Sequence, residues 1–278
     1  MFSKLYKYQV KELWYIARYF YAAMIGAVLL GLFVSATRIP GVVQFVNAIT
    51  ILGFILSCIA MIVFSVIYDY QNQQGKRSYF FRSIPAKESA VFSSRLAYYF
   101  TYHILTVLVF AIGITIFIVS NTAVEMKLPF HIAFSTVKDF FLQPKLIGLI
   151  FLLVVYTGLE HIISMMFAIT IGSQAIFKKL GVGGPILVYF LHYIAMQIIT
   201  LISMLLIPIS IRLPQNFDTD FQFEIVFESM ISEMSKVFSA QSNDIKIIGI
   251  GFILTTFVTW IIMSIWIYKA SKNKISLN

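Results

Sequence analysis

The stretch VVQFVNAITILGFILSCIAMIVFSVIY, residues 42–68, carries no charged side chain. At a rise of about 1.5 Å per residue, a helix of this length exceeds the ~30 Å hydrocarbon thickness of a bilayer. Five further apolar runs of spanning length surround it, at residues 16–36, 96–120, 145–172, 185–210 and 247–268. The whole chain is 59% hydrophobic and only 12% charged. A soluble domain carries about a quarter charged residues, so this chain has too few to cover a water-facing surface. The sequence therefore predicts an all-α polytopic membrane protein with six transmembrane helices, organised as one domain over residues 1–278.

The net charge of +9 does not point to nucleic acid, because the basic residues sit in short segments between apolar runs. Lys4, Lys7, Lys11 and Arg18 precede or open the first run, and Lys76, Arg77, Arg82, Lys87 and Arg95 follow the second. Lys178, Lys179, Lys269, Lys272 and Lys274 complete this set, opposed only by Glu12, Asp69 and Glu88. The bias predicts a multi-pass protein of the bacterial cytoplasmic membrane with both termini in the cytoplasm. No cleavable signal peptide is expected, since the first apolar run is itself long enough to span. A single cysteine, Cys58, excludes an internal disulfide or a cysteine metal cluster.

Outside the spans, three segments stand out. Residues 1–15 read as an amphipathic interfacial helix on the cytosolic face. Lys4, Lys7 and Lys11 form one stripe, and Phe2, Tyr6, Leu13 and Ala17 lie opposite. The alternative is an extension of the first span. Residues 69–95 form the main cytosolic loop, in which Lys76, Arg77, Tyr79, Phe80, Phe81 and Arg82 mix cations with aromatics and Pro85 suits a helical first turn. This mixture reads either as a docking surface or as a turn that hugs the membrane with snorkelling cations. Residues 211–246 form an acidic outer loop. Within it, residues 223–238 have helical period, with Phe223, Phe227, Met230 and Met234 on the apolar face. A weaker version in the span 3–4 loop places Phe130, Phe134, Val137 and Phe141 together.

Chemistry-bearing residues are few. Glu160 stands beside His161 in the fourth run. A carboxylate at that depth is costly unless protonated, paired or wet, so it is either a structural hydrogen-bonding group or a substrate- or proton-handling one. His103 and His192 are its candidate partners in neighbouring spans. No H-E-x-x-H metal motif and no catalytic constellation is present, so neither a resident metal nor an enzyme activity is expected. The LGVGGP stretch with Gly181, Gly183, Gly184 and Pro185 lacks the P-loop pattern and reads as a turn opening a helix. Any ATP-driven work must come from another subunit.

Two stretches, MFSKLYKYQVKELWYIARYF at the start and GKRSYFFRSIPAKESAVFSSRLAYYF before the third span, together with the order of spans and loops, resemble the permease subunits of ABC-2-type (type V exporter-like) ATP-binding-cassette exporters of low-GC Gram-positive bacteria. Members of that family often have an acidic residue before the aromatic run and a Leu-Pro pair, where this chain has Lys76–Arg77 and Ile84–Pro85. The resemblance implies a cytosolic ABC ATPase partner that holds ATP and magnesium, and a second permease subunit, identical or different. It further implies a coupling helix built from Lys76, Arg77, Tyr79, Phe80, Phe81, Arg82 and Pro85, and an external gate containing Phe223, Phe227, Met230 and Met234. The cargo would be an amphipathic peptide or drug passing Glu160, His161, His103 and His192. The competing readings are a secondary transporter or channel and a non-transporting membrane accessory protein.

Overall fold

A computed structural model describes residues 1–37, 39–141, 144–212, 224–239 and 247–273. Among them, six helices are long and apolar enough to cross a membrane. They are α1 (Phe2–Thr37), α2 (Pro40–Gln73), α4 (Glu88–Glu125), α6 (Pro144–Gly172), α7 (Gly183–Leu206) and α9 (Phe252–Asn273). Shorter helices α3 (Ser78–Ser83), α5 (Phe130–Phe141) and α8 (Met230–Phe238) occupy the connections, with strands β1 (Ser210–Arg212), β2 (Glu224–Val226) and β3 (Ile247–Gly249). The chain packs as two compact units, Met1–Ile162 and Ile163–Asn278.

In the first unit, α1 packs along α4 and α2. Its buried stripe of Leu5, Gln9, Leu13, Ala17, Tyr21, Met24, Val28, Gly31 and Ser35 follows the three- and four-residue spacing of one helix face. Tyrosines fasten this face to α4. Tyr6 Oη lies 2.8 Å from Thr101 Oγ1, Tyr21 Oη lies 3.0 Å from Thr106 Oγ1, and Tyr102 Oη donates to the Val10 carbonyl at 2.7 Å. Residues 1–15, expected as a separate interfacial helix, thus continue into the first span without a break. A 36-residue helix is about 54 Å long, well beyond the bilayer core. Its N-terminal turns are held by α4 through these hydroxyls.

Helix α4 ends in a Schellman arrangement. Lys127 adopts a left-handed φ of 52°, and the Leu128 amide donates to the Ala123 carbonyl at 3.0 Å. Pro129 then leads into α5, which folds back on α4 through Ala133 and Val137 against Val119 and Ala123. Of the face read from the sequence, Val137 takes part in this contact, and the Phe141 side chain lies outside the described residues. Phe130 and Phe134 are exposed, because the small residues allow the closer approach.

In the second unit, the LGVGGP turn is as expected. Gly181 takes a left-handed φ of 53°, open to glycine at little cost, and α7 begins at Gly183. The end of α6 meets α7 and α9 through Phe167, whose ring is 5.8 Å from that of His192 and 5.3 Å from that of Trp266. The three strands form an antiparallel sheet in the order β2-β1-β3, with Ile211 opposite Ile225 and Ile248. This sheet follows α7 by only a few residues and leads straight into α9.

The sequence predicts one helix over residues 223–238. Phe223 lies outside the described residues. Glu224–Val226 instead form strand β2, Phe227 lies in neither strand nor helix, and the helix starts at Met230 after the N-cap residue Ser229. Strand β2 lies at the edge of the sheet and pairs with β1 alone. Likewise Ile247–Gly249, expected within the sixth span, pair with β1 before α9 begins at Phe252.

Candidate functional site: a polar anchor under an exposed loop helix

At one end of α1, α2 and α4, polar side chains gather where apolar ones are the rule. Asp69 near the end of α2 and Arg95 near the start of α4 are both buried. Arg95 Nε donates to Asp69 Oδ1 at 2.9 Å and Arg95 Nη2 to Asp69 Oδ2 at 2.6 Å. This two-point geometry matches the planar guanidinium to the carboxylate. Tyr99 Oη donates to the same Asp69 Oδ2 at 3.3 Å. The rings of Tyr98 and Tyr99 stack with centroids 4.5 Å apart, and Tyr68 meets Tyr98 edge-on at 5.9 Å. The aromatic packing excludes water, which makes an unpaired charge there expensive and the paired one geometrically exacting.

One turn away, Glu12 of α1 accepts from Tyr68 Oη at 2.7 Å and is paired with Arg77 Nη1. Arg77 immediately precedes α3, so Glu12 ties the loop helix to α1 and α2 together. Aromatic contacts reinforce the tie: the Tyr8 ring lies 6.0 Å from Phe81 and 6.4 Å from Phe80. The ends of three long helices and the short helix α3 therefore share one network of ion pairs, tyrosine hydroxyls and rings.

The expected loop residues divide by role. Phe81 is partly buried against α1, and Arg77 is engaged with Glu12. Tyr79 and Phe80 face outward at 81% and 56% exposure, with Lys76 and Pro85 also exposed. The Arg82 side chain lies outside the described residues. Two large aromatics are thus exposed on a six-residue helix that is otherwise anchored to α1.

Of the four polar residues expected along a pathway, His103, Glu160 and His161 belong to the first unit and His192 to the second. His103 and His161 line one cavity in the first unit. His103 Nε2 donates to the Val154 carbonyl at 3.2 Å, and its ring lies over Gly158, where a Cβ would come within 2.5 Å. Glu160 is partly buried on α6 and is not part of that cavity wall. His192, in the second unit, shares a 2.9 Å hydrogen bond with Ser164 Oγ.

Of the expected gate residues, Phe227 is 82% exposed, while Met230 and Met234 are partly buried on α8. Lys236 on α8 sits 3.0 Å from Glu233 and 3.6 Å from Glu228. The hydrogen bond from Lys236 to Glu233 raises the ammonium pKa above its usual value.

Sequence reasoning counted Asp69 and Arg95 only as loop charges. The only signal was one of topology: an acid that closes one span and a base that opens the next can meet when the two helices pack antiparallel and both residues lie on the contacting faces.

Comparison with protein-family models, with curated proteins and with solved structures returned no match.

Proposed function

We propose that this chain is the transmembrane permease subunit of an ATP-binding-cassette exporter. It docks a cytosolic ATPase on α3 and forms, with a second permease subunit and two ATPase subunits, a route for an amphipathic peptide or drug. The observation that carries this reading is the mechanical arrangement of α3. Tyr79 and Phe80 are offered to a partner, while Arg77 and Phe81 fix the same helix to Glu12 and Tyr8 of α1. A push on α3 is transmitted to α1 and α2 through Glu12 and Tyr68, and from α2 to α4 through Asp69 and Arg95. Such a change moves the equilibrium only if the partner binds one arrangement better than the other. With α3 on the cytosolic side, as the positive-inside bias places it, the partner is a soluble protein.

The test is purification of the tagged full chain in mild detergent, with mass spectrometry and an ATPase assay of what accompanies it. The reading requires a near-stoichiometric soluble protein with a Walker A motif and ATPase activity in the complex. A folded, monodisperse chain that emerges alone and inert refutes it.

One observation favours a secondary transporter instead: the Asp69–Arg95 pair is a buried charge pair on two spanning helices. That reading requires substrate uptake by vesicles holding this chain alone, driven by an ion gradient and abolished by Asp69→Asn.

A further inference from the structure

Within the first unit, a cavity of about 280 Å³ opens among α2, α4 and α6. Much of its wall is hydrocarbon, including Ile55, Ile59, Val107, Phe110 and Ile162. Three side chains interrupt it: Cys58 from α2, His103 from α4 and His161 from α6.

The other polar residues of the wall are already committed. Ser65 Oγ donates to the Met61 carbonyl at 2.9 Å, Tyr102 Oη to Val10 at 2.7 Å and Tyr99 Oη to Asp69 at 3.3 Å. Thr106 Oγ1 is bonded to Tyr21 Oη at 3.0 Å. His103 must carry its proton on Nε2, because the Val154 carbonyl can only accept. In a neutral imidazole its Nδ1 is then an acceptor, and a neutral His161 also keeps one acceptor nitrogen. Among the described residues, the wall thus holds two imidazoles and a thiol, and no Asp, Glu, Lys or Arg lines it.

This chemistry selects its guest. A purely hydrocarbon chain would leave the imidazole acceptors dry, at about 1–3 kcal/mol each. A charged molecule would find no opposite charge in an apolar wall. A cavity of about 150 Å³ holds benzene, so this one suits roughly two fused rings. Among the described residues, no three His, Cys, Asp or Glu side chains gather to hold a metal ion.

We propose that the α2–α4–α6 cavity binds a small uncharged apolar molecule that carries one hydroxyl or N–H donor, received by the His103 and His161 imidazoles. The inference rests on the transporter reading only for the guest's role as cargo. Binding itself is a property of this chain alone.

The experiment uses the purified full chain in mild detergent and 2-naphthol as probe, measured by equilibrium dialysis against the same micelles without protein. The expected result is saturable binding of one molecule per chain. The affinity falls about tenfold or more in Cys58→Phe, which fills the cavity, and in His161→Leu, which removes an acceptor; 2-methoxynaphthalene, which lacks the donor, is weakened likewise. Melting profiles identify any variant that fails to fold. Independently of variants, 2-naphthol is expected to slow alkylation of Cys58 by N-ethylmaleimide about tenfold in the native sequence. Uptake rising linearly as in micelles alone, equal affinity for the methoxy compound, or unchanged alkylation of Cys58 each overturn the proposal, as does a phospholipid chain that fills the cavity and is not displaced. Loss of this binding with ATPase capture intact leaves the transporter reading standing. Binding without any ATPase removes only the cargo role.

Discussion

Arg95 clasps Asp69 through two hydrogen bonds, of 2.9 and 2.6 Å, with side-chain exposures of only 3% and 1%. Removing one partner strands a buried charge, which costs about 3–5 kcal/mol. Arg95→Met and Asp69→Leu, taken singly, should each lower the unfolding midpoint of the detergent-solubilised chain markedly. The double variant should melt above either single one, because no orphaned charge remains. Single variants that melt like the native chain would show that the pair bears no load.

The docking surface and its anchor can be separated. Tyr79→Ala removes the most exposed ring of α3, so melting should stay unchanged while capture of the proposed partner falls at least tenfold, a loss of more than about 1.4 kcal/mol of binding. Arg77→Glu with Arg82→Glu should also weaken capture and leave membrane insertion intact, but by a different route. A glutamate at 77 meets Glu12 and frees α3 from α1, so limited proteolysis should cut residues 74–87 faster than in Tyr79→Ala. Equal cleavage in both variants would remove the anchoring role from Glu12.

Gly158 allows the His103 ring to pass over α6. A Cβ there would lie 2.5 Å from two ring atoms, and the ring cannot withdraw without losing its bond to Val154. Gly158→Val should destabilise by about 1–3 kcal/mol. His103→Ala in the same chain should recover most of that loss, which a double-mutant cycle of unfolding free energies measures. Additive effects would mean the two positions do not touch.

Phe227 and Phe238 are more than four-fifths exposed on the segment leading into α8 and at its end. Strands β1 and β3 attach this segment directly to the ends of α7 and α9, which keeps it near the bilayer surface. Tryptophan placed at either position, in a chain with its own three tryptophans replaced, should be quenched strongly by brominated lipid in proteoliposomes. Quenching by aqueous iodide instead would place these residues in water.

The six spans were legible because hydropathy over a long run depends on composition rather than on fine packing. Residues 42–68 and 145–172 lie within α2 and α6, whose true limits are Pro40–Gln73 and Pro144–Gly172. The turn at Gly181 was legible for a similar reason, since glycine next to Gly-Pro leaves few local alternatives. The β-sheet was not. Strands of three residues carry no usable alternation, and the apolar spacing around Phe227 and Met230 fits a helix equally well. The α5 packing face was legible only in part: Val137 was on the face read from the sequence, but Ala133 was not, because large phenylalanines dominate a hydrophobic pattern. The tyrosine bonds from α1 to α4 were invisible, because nothing local links Tyr6 to Thr101 or Tyr102 to Val10.

The most direct test of the central claim is site-specific crosslinking from Tyr79. A photoreactive amino acid replaces Tyr79 in the full chain, which is irradiated in native membranes. A control carries the same group at Ile225, in the second unit. One dominant adduct is expected from position 79, to a soluble Walker A ATPase, whose yield changes when ADP is trapped by vanadate after hydrolysis, and no such adduct from position 225. Adducts from position 79 confined to lipid or to a second copy of this chain would contradict α3 as the site where an ATPase docks.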